Sequence, residues 1–146
     1  MSVALLLLRG ELISAARDAL VRSLEQVARQ ERTLLSLGWH SPGTPTGSVS
    51  PQPPWRVSGH LSRSVMTTRP RLSWGWRGLA WKGSVGADAV YARIHELSGW
   101  TGRGHKTYLP PRPHLRPAWE IARPMVRPVF EHYMEKAISR ATSSHR

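Results

Sequence analysis

"RLSWGWRGLAWKGSV", residues 71–85, holds two runs in which large apolar side chains take every second position. Leu72, Trp74 and Trp76 alternate in the first run, and Leu79, Trp81, Gly83 and Val85 in the second, with Arg77-Gly78 between them. A period of two marks a strand with one buried face. Two such runs joined by a short Gly-containing turn predict an antiparallel hairpin. Closing the turn at Arg77-Gly78 sets Trp76 across from Leu79 and Trp74 across from Trp81. The expected apolar face is therefore Leu72, Trp74, Trp76, Leu79, Trp81 and Val85, and a sheet with one such face needs a second layer over it.

Residues 1–38 supply that layer. Leu5, Leu8, Leu12, Ala16, Leu20, Leu24, Val27 and Leu34 recur at three- and four-residue steps, one stripe of a long amphipathic helix. Arg17, Arg22, Glu25, Arg29 and Arg32 fall mostly off the stripe as a solvated face, and Glu25 and Arg29 have the favourable acid-first spacing. The six apolar residues that open the chain have no positive charge before them and are followed at once by Arg9 and Glu11. They read as the start of this helix rather than as a signal peptide or a membrane span. "SPGTPTGSVSPQPP" (41–54) has no apolar periodicity, so 39–57 is expected to be a flexible linker inside one domain.

In "SGHLSRSV" (58–65), Ser58 suits the N-cap of a short turn that points Leu61 and Val65 the same way. Val90, Ile94 and Leu97 have helical spacing, and "SGWTGRGHKT" (98–107) breaks periodicity with three glycines, which predicts a mobile excursion. Helical periodicity resumes from Leu115 to about Ala141, through Ala118, Trp119, Ala122, Val126, Phe130, Tyr133 and Ala137. Pro117 suits its first turn, whereas Pro124 and Pro128 predict a kinked or two-piece helix. The expectation is one α+β domain over 1–146: a small antiparallel sheet packed on a long N-terminal helix, with a sheet and motif core at 58–122 and a kinked C-terminal helix at 115–141.

The formal charge is +12, and residues 41–87 carry six basic side chains and no acid. Such a surplus attracts phosphates or acidic surfaces. The chain lacks cysteine, which removes disulfides and thiolate metal sites. Seven histidines raise the question of a metal, but "HEL" (95–97) lacks the second His one turn later that a helical zinc pair uses. With no nucleophile motif and no phosphate-cradling Gly-Lys loop either, neither a cofactor nor an enzymatic activity is expected. Tryptophans interleaved with arginines in 71–83 also suit a single-strand nucleic-acid groove. The shared parity of Trp74, Trp76 and Trp81 favours a core face instead. Trp100, outside any periodicity, is the tryptophan expected to meet a partner, with Arg103, His105 and Lys106 beside it.

Three stretches in order carry a resemblance: "SGHLSRSV" (58–65), "VGADAVYARIHELSG" (85–99) and "LPPRPHLRPAWE" (109–120). Together they are similar to the tail-completion, or head-tail joining, proteins of long-tailed phages, and in part to virion-morphogenesis proteins of Mu-like phages. The family pattern reads Thr-Gly-x-Leu-x-x-Ser, Val-Gly, Tyr-Ala-x-x-x-Glu-x-Gly and Pro-x-Arg-Pro-x-Leu-x-Pro-Ala. It falls here on Ser58, Gly59, Leu61, Ser64, Tyr91, Glu96, Arg112, Pro113, Leu115 and Pro117. The chain departs by Ser58 for Thr, by Ser98 inserted before Gly99, and by His114 where an aromatic is usual.

The resemblance implies a small α+β subunit in a ring, expected to be six-fold, at the head-proximal end of a virion tail. Such a ring would be assembled in the host cytoplasm and would touch a tail terminator, a stopper or the tail tube. DNA in the neck channel is a further possible contact, and no membrane is involved. The motif residues would then be scaffold. Ser58 and Gly59 would orient Leu61, Tyr91 would bury its ring, and the prolines would fix the approach to Leu115.

Overall fold

The two long helices, one from each end of the chain, pack antiparallel and form the main contact of the molecule. The computed structural model describes residues 3–42, 48–75 and 78–143. Helix α1 spans Val3–Leu34 and is followed by the one-turn helix α2, His60–Arg63. Four short strands come next: β1 Val65–Thr67, β2 Arg71–Gly75, β3 Gly78–Lys82 and β4 Val85–Ala87. Helix α3 (Ala92–Leu97), strands β5 (Gly99–Thr101) and β6 (Thr107–Leu109), and helix α4 (Leu115–Ser143) complete the chain. The architecture is α+β as expected, with three two-stranded antiparallel ribbons, β1–β4, β2–β3 and β5–β6, in place of one sheet.

Ala15, Ala19, Ser23, Val27, Glu31 and Leu35 are all buried and lie four residues apart, so they form one row along α1. On α4 the buried residues are Ala118, Ala122 and Ala137. Small side chains on facing rows let two helix axes approach closely. The expected leucine stripe is displaced by one position: Leu8, Leu12, Leu20 and Leu24 are half-buried and flank the row. Leu5 lies outside the described side chains. Val27 packs with Ala118 and Ala122, whereas Ala28 and Leu35 join Leu61, Val65, Ala89 and Ala92 in a second cluster under the β1–β4 ribbon. The guanidinium of Arg32 donates to the Val65 carbonyl at 2.6 Å and ties that ribbon to α1.

The Trp hairpin forms, but with its turn one residue and its pairing two residues out of the expected register, and it is largely uncovered. Leu72 pairs with Trp81, Trp74 with Leu79 and Gly75 with Gly78. The two residues between the strands are therefore 76 and 77, and Trp76 and Arg77 lie outside the described residues. Leu72, Trp74, Leu79 and Trp81 do share a face, yet Trp74 is 80 % exposed, and Leu72 and Leu79 are exposed as well. The reason is geometric. Strand β3 carries the contact with α1, through Trp81, whose indole N–H donates to the Ile13 carbonyl at 2.9 Å. Strand β2 forms the outer edge of a ribbon too narrow to cover both sides. Val85 belongs to β4 and packs in the core instead. The backbone passes so near α1 at Gly83 that a Cβ there would sit 2.6 Å from the Leu24 side chain.

Other expectations are corrected. Residues 98–107 are no irregular excursion: β5 and β6 pair with Trp100 opposite Tyr108 and Thr101 opposite Thr107. Of the two forms expected for α4, the structure has one continuous helix through Pro124 and Pro128 rather than two pieces. Both prolines are exposed, so the carbonyls they leave without an amide face water while the opposite, packed side holds the helix together. The helical spacing of Val90, Ile94 and Leu97 corresponds to α3, whose neighbourhood buries Ala89 and Ala92 and leaves Val90 and Leu97 exposed. The linker is tied at both ends. His40 N–H donates to Arg56 O at 3.1 Å, Arg56 N–H donates to Gly38 O at 2.8 Å, and Ser50 Oγ donates to Pro111 O at 2.6 Å. Residues 43–47 lie outside the described residues.

Candidate functional site

The three motif stretches converge on one corner, where α2, α3 and the approach to α4 meet. At its base lies the start of α4. A helix begins with amide groups that no carbonyl within the helix can reach. Here the Glu96 carboxylate, from α3, accepts from the N–H groups of His114 (2.8 Å), Leu115 (3.0 Å) and Arg116 (2.9 Å). Pro117, next in line, has no N–H to satisfy, and the Ala118 amide already reaches the His114 carbonyl. One glutamate and one proline thus settle the whole first turn, with the negative charge at the favourable end of the helix dipole. Burial pushes the Glu96 pKa upward, but the three amides and the nearby His114 outweigh it and hold the group below the usual carboxylate range.

Behind this cap is a buried pair that sequence reasoning missed. His114 Nδ1 lies 2.8 Å from Oε1 of Glu31 on α1, and the two residues are 2 % and 0 % exposed. A ring N–H donating to a carboxylate this deep is a strong contact only while both partners are present. Its signal was the four-residue row along α1, on which Glu31 follows Val27.

Above the base the corner opens into a cavity of about 390 Å³. Its floor and wall are Leu35, Leu61, Pro54 and Trp55, and its polar lining includes Arg56, Ser58, His60, Tyr91, His95 and Arg112, with no acidic residue. Five of the motif residues, Ser58, Gly59, Leu61, Tyr91 and Arg112, therefore line one space. Gly59, at φ 74°, is the N-cap of α2 in place of the expected Ser58. Its left-handed backbone favours glycine, and Arg63 and Arg56 leave little room for a Cβ. Ser58 Oγ still accepts from the His60 amide, at 3.3 Å. Ser64 closes α2 by donating from Oγ to the Leu61 carbonyl at 2.8 Å, and its own carbonyl accepts from Asp88 N–H.

Tyr91 departs from its expected role. Its ring is exposed, edge-on to His95, and its hydroxyl meets His60 Nδ1 at 3.1 Å. The backbone of Arg112 is anchored by its N–H donating to the His95 carbonyl. Pro113 and Leu115 are half-buried, and Leu115 packs against the Val27 cluster. The His95 pKa is lowered to about 4, first by burial, then by the charges of His114 and Arg112. That imidazole is neutral at pH 7.

The expected partner-contact residues lie elsewhere, on the β5–β6 hairpin. Trp100, Arg103, His105 and Lys106 are all exposed. Trp100 meets Tyr108 edge-on at 5.4 Å, and Gly102 and Gly104 take positive φ at the tip. Among the described residues no group of three His, Asp or Glu side chains is placed to hold a metal ion, and no helix is long and apolar enough to cross a membrane. No family model, no curated protein and no solved structure matches this chain.

Proposed function

We propose that the protein is a structural subunit of a tailed phage or phage-like particle, one member of a ring at the head-proximal end of the tail that completes the tail and joins it to the head. The observation that carries this reading is surplus surface. The chain exposes 10485 Å², whereas a compact monomer of 16.4 kDa is expected to expose about 7500 Å². An excess on the order of 3000 Å² is the scale that permanent assemblies bury. Much of it is apolar, with Trp74, Trp100, Trp119 and Phe130 all exposed.

A ring needs two different surfaces on each subunit. The Trp100–Tyr108 hairpin is one aromatic group on offer, and the Trp74 face is another. The charge of +12 favours acidic neighbours, among them other neck and tail proteins, or DNA in the channel. The motif residues fit the scaffold role that the resemblance implies, since Glu96, Pro117 and Gly59 fix backbone geometry.

The test is genetic. Disrupting the reading frame in a genome that produces particles should yield filled heads and separate tails, and a Trp100→Ala/Arg103→Ala double variant should do the same while remaining folded. Normal yields of joined, infectious particles from the disrupted genome would reject the assignment.

One observation favours a second reading, a single-stranded nucleic-acid binder. Trp74, 80 % exposed, is available for base stacking in a strand that also carries Arg71. Salt-dependent oligonucleotide binding that Trp74→Ala abolishes would support it.

A further inference from the structure

The cavity above the α4 cap has a lining that its scaffold role does not account for. Arg112 is half-buried, and its Nε is sealed from solvent with no hydrogen-bond acceptor. Neither Arg112 nor Arg56, which lines the same cavity, has a carboxylate partner among the described residues. A guanidinium held partly out of water without a counter-charge is costly, and an anion beside it removes that cost. The cavity supplies further hydrogen-bonding groups in Ser58, Ser62, Tyr91 and His60, and no acid to repel a negative charge. Its volume of about 390 Å³ suits a small organic ligand, and Trp55, Pro54 and Leu61 give it an apolar side.

We propose that this cavity binds a small phosphomonoester, its phosphate held by Arg112 and Arg56 and its organic part laid against Trp55 and Leu61. Phosphate fits this lining better than a carboxylate because two guanidinium groups and several hydroxyls can serve three oxygens on different sides. The proposal stands apart from the assembly reading, since it rests on the cavity alone.

Phenyl phosphate, inorganic phosphate and phenylacetate serve as probes, by calorimetry at about 0.15 M salt with the His95 ring signals followed by NMR. Phenyl phosphate should bind saturably and tighter than inorganic phosphate, with phenylacetate weaker than both. Arg112→Gln should weaken phenyl phosphate by about tenfold or more, and the pKa of His95 should rise when phenyl phosphate is bound, because an anion next to the ring favours its charged form. Arg56→Gln, at an exposed position, provides the same readout if Arg112→Gln fails to fold. Three results overturn the proposal: no saturation up to about 10 mM, phenylacetate binding as tightly as phenyl phosphate, or affinity unchanged in every folded variant of the two arginines.

Discussion

Glu31, on the buried row of α1, meets His114 at 2.8 Å immediately before α4 begins. The contact couples a residue that breaks the apolar row of one helix to the residue that departs from the aromatic expected before the other. Removing one partner strands the other in the core, which costs about 3–5 kcal/mol, whereas replacing both with apolar groups is often neutral or stabilising. His114→Phe alone should therefore be strongly destabilised, and His114→Phe/Glu31→Leu should regain at least the wild-type stability. Urea denaturation of the two single variants and the double variant measures the coupling. Additive losses would mean that the pair does not act as a unit.

Glu96 and His95, adjacent in α3, give the acid limb of stability two separate windows. His95 has a folded pKa of about 4, below its ordinary 6.5, so the unfolded chain takes up the proton first. Stability should fall as the pH drops from about 6.5 toward 4 and gain no further loss from this residue below that. Glu96 has a depressed folded pKa, so its contribution is present above the ordinary carboxylate value of 4.5 and is lost as the pH falls through the folded one. Melting temperatures against pH should lose the upper window in His95→Gln and the lower one in Glu96→Gln. At neutral pH, Glu96→Ala should cost about 2–3 kcal/mol, since three amides lose a charged acceptor.

Ser98 ends α3 at φ 67°, ψ 173°, a region occupied almost only by glycine. Ser98→Gly should stabilise the protein by about 1 kcal/mol, a rise of about 3 °C in Tm, and Ser98→Ala should bring no such gain. Calorimetry of the two variants separates relief of backbone strain from loss of the hydroxyl.

Trp74 and Trp81 occupy one face of one hairpin with opposite consequences. Trp74→Ala should change stability by no more than about 0.5 kcal/mol. Trp81→Ala should cost about 2–4 kcal/mol, because the half-buried ring packs on α1 and its N–H bonds to Ile13. Equal losses in chemical denaturation would mean that both sides of the ribbon are covered.

This contrast also marks how far the sequence could be read. The two long helices, the hairpin and the α+β class follow from periodicity, which is local. Which side of a helix is most buried depends on what packs there, and the alanines at 15, 19, 118 and 122 set that side because they are small rather than strongly hydrophobic. Period two likewise says that Trp74 and Trp81 share a face, but not that a narrow ribbon leaves one of them outside. In the β5–β6 hairpin, "GWT" and "TYL" were the available signal, too short to stand out beside three glycines. Of the corner site, the motif residues were legible one by one. Their meeting around Arg112 was not, and Glu31 was marked only by its place on the four-residue row that also holds Val27.

The facing rows of α1 and α4 also impose an order on synthesis. Leu34 and Leu115 are about 80 residues apart, so at ribosomal rates α1 leaves the exit tunnel several seconds before the helix that covers it. During that interval the part of the α1 row around Val27 lacks Ala118 and Ala122, the α4 residues that bury it. Nascent chains stalled before Leu115 should therefore be sticky and prone to capture by chaperones, and release from that state should coincide with the emergence of α4.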